Sequence, residues 1–159
     1  MKKIEIGKKV KNFKAESTKN EEFILNDYFG SFIVLFFYPK DNTPGCTQEG
    51  IDFSDNYNKF KKLGSNIFGI SRDSIKSHQN FINKYKYKFD LISDHDEKIC
   101  NLFDVIKEKN MYGKKYMGIE RATFLFDEKQ ILLKSWRKVK VKNHAQEVLD
   151  FINDLVKSD

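Results

Sequence analysis

The run Phe32-Ile33-Val34-Leu35-Phe36-Phe37-Tyr38 constrains this chain more than any other stretch. Seven consecutive aliphatic or aromatic side chains cannot alternate between a core and water. They read as a central strand buried on both faces, in a sheet covered on both sides. Pro39 ends the strand, because proline has no N–H to give to a ladder. The run is far shorter than the ~18 apolar residues of a membrane span, and no longer one occurs, so no membrane segment is expected.

Around this strand the periodicity alternates. From Cys46 the pattern turns helical, with Phe53, Tyr57 and Phe60 on one face and Gly64 as a stop. Asn66–Ser71 reads as a second strand. Ile75, His78, Ile82 and Tyr85 mark a second helix, capped by Asp73 or Ser74. Phe89–Ser93 is a short strand and Asp96–Phe103 a short helix. Residues 107–118 read as a basic, Gly-containing loop. Arg121–Asp127 and Gln130–Arg137 flank a tight turn and predict a hairpin. Ala145, Val148, Leu149, Ile152, Leu155 and Val156 form the stripe of a last helix, with Asn143 and Gln146 spaced as a capping box. The order β-α-β-α-β-α-β-β-α predicts an α/β fold, a central mixed β-sheet flanked by helices. A thioredoxin-like architecture with extra elements fits that order, as do other α/β arrangements.

With 159 residues and neither repeat nor linker, residues 1–159 are expected to form one domain. Hydrophobic residues at 40% and aromatics at 14% exclude a disordered chain. The net charge of +6 permits acidic partners. The basic residues are scattered, however, and the densest run, Lys134–Lys142, alternates with Trp136, Val139 and Val141 like the wet face of an edge strand. No nucleic-acid role is therefore expected. The opening Met1-Lys2-Lys3-Ile4-Glu5 has charge without a following apolar stretch, so no secretory signal is expected. Two cysteines in such a chain point to a reducing compartment, the cytoplasm.

The chemistry concentrates in Pro39-Lys40-Asp41-Asn42-Thr43-Pro44-Gly45-Cys46. A buried strand delivers this loop, and the loop ends in a cysteine at the first turn of a helix. Unpaired N–H groups and the helix dipole favour an anion there, and the same N–H groups suit a polarised substrate oxygen. Thr43 can bring its hydroxyl near the sulfur, and Pro39 can shield it from water. On the residues alone two readings stay open: an activated thiol, or a small buried hydrophobe.

The stretch Phe37-Tyr38-Pro39-Lys40-Asp41-Asn42-Thr43-Pro44-Gly45-Cys46-Thr47-Gln48-Glu49 resembles the active-site signature of the peroxiredoxins, P-x-x-x-T-x-x-C. More narrowly it is similar to the PrxQ branch, also called bacterioferritin comigratory protein. The likeness continues through Gly69–Ser74 and Leu91–Asp94, and resumes over Met111–Leu125. It implies a thioredoxin-like fold with peroxiredoxin-type extra elements and no cofactor. The implied activity is a thiol-dependent peroxidase for hydrogen peroxide and organic hydroperoxides, serving antioxidant defence. By the same resemblance Cys46 is the peroxidatic residue, whose thiolate becomes a sulfenic acid. Thr43 bonds thiolate and peroxide, Pro39 limits solvent, and the N–H groups of Gly45 and Cys46 hold the peroxide. Arg121 stabilises charge, and Glu49 orients Arg121.

The sequence departs from the common branch pattern. Ile51 stands where many members carry a resolving cysteine, and the stretch around Phe81 has none either. Cys100 is left as the possible resolver, although its neighbours Ile99, Leu102 and Phe103 suggest an inert, packed residue. The expected behaviour is that of a one-cysteine enzyme, reduced by thioredoxin, glutaredoxin or a low-molecular-weight thiol, and monomeric as the branch often is. A peroxide sensor or chaperone-like interaction protein on the same fold is the alternative. His78, His95 and His144 lack ligand spacing, so surface or helix-face roles and no metal are expected.

Overall fold

A computed structural model describes residues 3–19 and 22–158. Met1 and Lys2, part of the stretch read above for a secretory signal, lie outside them. Two short strands, β1 (Lys14–Ser17) and β2 (Phe23–Ile24), precede a single 3-10 turn at Leu25–Tyr28 and the buried strand β3 (Phe32–Phe37). Helices α1 (Pro44–Asp55) and α2 (Tyr57–Lys62) lead to β4 (Ser65–Ser71), then α3 (Ile75–Tyr85) to β5 (Asp90–Ser93). The chain continues through α4 (Lys98–Leu102), β6 (Ile106–Met111), β7 (Lys114–Ile119), β8 (Ala122–Phe126), β9 (Leu132–Arg137) and α5 (His144–Lys157).

Seven strands form one mixed sheet in the order β2-β1-β5-β4-β3-β8-β9, with β6 and β7 paired apart from it. β3 lies in the interior of the sheet beside the middle strand β4, parallel to β4 and antiparallel to β8. Its alternation divides the interior in two. Val34, Phe36 and Tyr38 point into a core with Phe53, Phe60, Phe81, Val148 and Ile152, contributed by α1, α2, α3 and α5. Ile33, Leu35 and Phe37 point into the other, with Phe13, Phe103, Phe124 and Phe126. Each side chain so buried contributes about 1.5–3 kcal/mol. Stacking of Phe36 on Phe53, with centroids 4.7 Å apart, fixes α1 against β3.

Three expectations need correction. Residues 107–118 are not a loop: β6 and β7 pair from Ile106↔Ile119 to Met111↔Lys114. Their two-residue turn puts Tyr112 and Gly113 at φ 54° and 79°, the left-handed pair of a tight hairpin turn. The helical pattern from Cys46 to Gly64 is interrupted at Asn56, between α1 and α2. Finally, Asn143 and Gln146 form no capping box. Asn143 is left-handed, at φ 63°, and its side chain caps nothing. Gln146 instead donates to Asp150 at 2.8 Å. On α3 the open choice resolves to Ser74, whose hydroxyl accepts from Ser77 N–H at 3.1 Å. Among the described residues no helix is long and apolar enough to cross a membrane.

Candidate active site

The site forms where β3 runs out. Tyr38 N–H still bonds Ile70 O at 3.1 Å, and Pro39 then turns the chain into the loop. Pro44 opens α1, a position where its missing N–H costs nothing. Thr47 N–H makes the first helical bond, to Thr43 O at 2.8 Å. The N–H groups of Gly45 and Cys46 are thus left without a backbone acceptor at the positive end of a twelve-residue helix.

The register of β8 on β3 pairs Phe37 with Ala122. Arg121, one residue earlier, is therefore delivered to the end of β3 where α1 starts. Its Nη2 donates to Cys46 Sγ at 3.3 Å, and its Nη1 donates to Glu49 Oε1 at 2.6 Å. Glu49 lies three residues after Cys46, on the same face of α1. Gly45 makes room for this arrangement: a Cβ there would stand 3.1 Å from Arg121 Nη2.

Burial sets the electrostatics. Cys46 is 2% exposed and Glu49 1%, while the Arg121 side chain keeps 16% of its surface open. Desolvation pushes the Glu49 carboxyl up to about 7, against the pull of Arg121. Its Oε2 has no hydrogen-bond partner among the described residues. Arg121 is itself desolvated, but Glu49 and Cys46 outweigh that cost and hold it above its ordinary value.

The structure brings Cys46, Arg121, Glu49 and Gly45 together. Thr43 and Pro39 flank them, half-buried, but the Thr43 hydroxyl donates to Lys40 O at 2.8 Å and makes no bond to the sulfur. Cys100 is elsewhere. It belongs to the core on the opposite face of the sheet, fully buried in the middle of α4. Its N–H donates to Asp94 Oδ2 at 2.6 Å, and desolvation together with the Asp94 charge pushes its thiol far above the ordinary range.

His95 is exposed, while His78 and His144 take helix-face positions, on the buried sides of α3 and α5. His144 is 3% exposed, within 2.7 Å of Thr123 Oγ1, and burial lowers its basicity. His78 is fully buried and forms with Asp41 and Asp73 the one group of metal-type donors among the described residues. Those donors are bonded to one another and to protein groups. Two further neighbours of the site were invisible in the sequence. Lys109 on β6 is half-buried, and desolvation with the nearby Arg121 lowers its ammonium below the ordinary value, while Cys46 acts against that. Tyr87 packs its ring against Gly50 and donates to Thr47 O at 2.9 Å, pressing on α1 from behind. Neither carries a motif, and only the fold brings them near.

The profile of the AhpC/TSA family matches residues 6–135. The chain belongs to that family. Peroxiredoxin Bcp of Xanthomonas campestris pv. campestris is 54% identical over 125 residues, which is 79% of this chain and 78% of that protein. Peroxiredoxin Bcp of Bacillus subtilis is 47% identical over 152 residues, covering 96% and 97%. A solved structure of the Xanthomonas campestris bacterioferritin comigratory protein, described for its alkyl peroxide reduction activity, superposes with a TM-score of 0.86. It is 46% identical and covers 91% of this chain and 92% of that one. The mixed sheet between helices is accordingly the thioredoxin fold of a PrxQ-type peroxiredoxin, a thiol-dependent peroxidase.

Proposed function

We propose that Cys46 carries the peroxidase chemistry and that the protein reduces hydrogen peroxide and alkyl hydroperoxides in antioxidant defence. One observation carries this reading: the sulfur sits at the open N-terminus of α1 with an arginine guanidinium 3.3 Å away. Both features stabilise negative charge on sulfur, and both remain in place for the charge that shifts onto oxygen.

The thiolate attacks one peroxide oxygen, and the O–O bond breaks with its electron pair leaving on the distal oxygen. That oxygen takes a proton and departs as water or alcohol, and Cys46 remains as sulfenic acid. Gly45 and Cys46 N–H groups hold the peroxide, with Thr43 beside them, its hydroxyl oxygen able to accept. Arg121 faces the developing charge and Glu49 fixes the guanidinium. Pro39 limits water.

The reductant is an external thiol: thioredoxin, glutaredoxin or a small thiol. It attacks the sulfenic sulfur, water leaves, and a second thiol releases Cys46 with formation of a disulfide. Placement of Cys100 across the sheet supports this one-cysteine cycle, and a monomer working in the cytoplasm belongs to the same reading. The test is peroxide consumption by Cys46→Ser with a thioredoxin system present. No turnover is expected, and consumption at the wild-type rate removes Cys46 from the reaction.

A further inference from the structure

Behind the loop lies a buried polar cluster that the chemistry above does not use. The side chains of Asp41 and His78 are 2% and 0% exposed. His78 Nδ1 is 2.8 Å from Asp41 Oδ2, and His78 Nε2 is 3.0 Å from the carbonyl of Ile92 on β5. A carbonyl only accepts, so Nε2 carries a proton. Asp41 Oδ2 also accepts from the Ser77 hydroxyl at 2.7 Å, and Oδ1 accepts from the Tyr38 hydroxyl at 2.7 Å. The Asp41 backbone N–H donates to Asp73 Oδ2 at 2.9 Å, and Asp73 in turn accepts from Ser71 Oγ at 2.6 Å.

One loop residue is thereby tied to the end of β3, to the turn between β4 and α3, to α3 itself, and through His78 to β5. Asp41 precedes Cys46 by five residues. Lys40 and Thr43 are joined by their own hydrogen bond across it. Buried ionisable pairs contribute little net stability, and apolar replacements of equal volume are often as stable. The number of bonds converging on Asp41 specifies where the loop goes, more than how firmly the domain holds together.

We propose that Asp41 and His78 are positioning residues: their buried contact fixes the course of Lys40–Thr43 and so sets the start of α1 for peroxide attack. This rests on Cys46 being the reacting thiol. A small displacement of an aligned nucleophile costs up to about 100-fold in rate.

Two reactions of Cys46 separate alignment from reactivity: oxidation by hydrogen peroxide, which needs an aligned O–O bond, and alkylation by iodoacetamide, which needs only a reachable thiolate. Asp41→Ala removes every side-chain bond. It is expected to slow oxidation by about 10- to 100-fold and to change alkylation by less than about threefold. Asp41→Asn keeps the shape, its carboxamide oxygen accepting from Tyr38 and its nitrogen donating to His78 Nδ1, and should restore oxidation to within about fivefold of wild type. A folded Asp41→Ala protein that oxidises at the wild-type rate overturns the proposal. Equal losses in both reactions, or no rescue by asparagine, overturn it too. Should the alanine variant not fold, Ser77→Ala deletes one bond to Oδ2, and a selective several-fold loss of oxidation is expected; no loss overturns the proposal. Cys46→Ser run alongside tells the two claims apart, because oxidation that survives it removes the Cys46 reading itself.

Discussion

Arg121 meets the sulfur with one nitrogen and Glu49 with another, and two predictions follow from that fork. Arg121→Ala deletes a charged donor aimed at Cys46 Sγ, where the proposed reaction moves negative charge. Stopped-flow oxidation of Cys46 should slow by about 100-fold or more, the usual cost of such a donor, while an unchanged rate would take Arg121 out of the reaction. Glu49 makes a prediction about stability. Its carboxyl moves from an ordinary 4.5 to about 7 through burial. Between those values the folded protein holds a proton that the unfolded chain has released. Stability is fully present below about 4.5 and declines as pH rises, a loss complete above about 7 and worth about 3 kcal/mol. Glu49→Gln cannot ionise, so urea denaturation at about pH 5 and about pH 7.5 should show a flatter dependence than wild type. An equal slope in both proteins would refute the assignment. Cys46, Arg121 and Glu49 could be picked out in the sequence by motif. Asp41 and His78 could not, because a histidine on an apolar helix face says nothing of partners 37 residues upstream or on the next strand.

At the scale of elements, α1 is held by what presses on its two sides. Phe53 stacks on Phe36 below, and Gly50 receives the Tyr87 ring, whose hydroxyl is tied to Thr47 O. In an open helix Gly→Ala is stabilising; here the added methyl collides with a buried ring, 6% exposed, whose hydroxyl is held by Thr47 O. Gly50→Ala is expected to destabilise by about 1–3 kcal/mol in urea denaturation, and a gain in stability would show that the ring moves. Elements whose pattern comes from one-sided or complete burial were readable: β3 by its unbroken run, α5 by its stripe, the β8–β9 hairpin by its turn. The β6–β7 hairpin was not. Lys107, Lys109, Lys114 and Lys115 dominate both strands, little of it is buried, and its turn is Tyr-Gly, without the asparagine or aspartate that usually signals one. The two short N-terminal strands carry too few residues for any period to show.

For the molecule as a whole, the sheet is the partition. Cys46 packs with the side chains on one face and Cys100 with those on the other, so the sheet stands between the two sulfurs. Intact mass after one equivalent of peroxide should therefore show the gain of one oxygen. The loss of two hydrogens that marks a disulfide would contradict the one-cysteine cycle. Cys100→Ser should leave the first oxidation unchanged, and native Cys100 should resist alkylation until the protein is unfolded. In the cycle proposed above, a wall between the two sulfurs leaves the protein unable to complete its own turnover. On that proposal each oxidised copy waits for a collision with a donor, and the standing proportion of copies in that condition becomes a running measure of how fast the surroundings deliver electrons relative to oxidant.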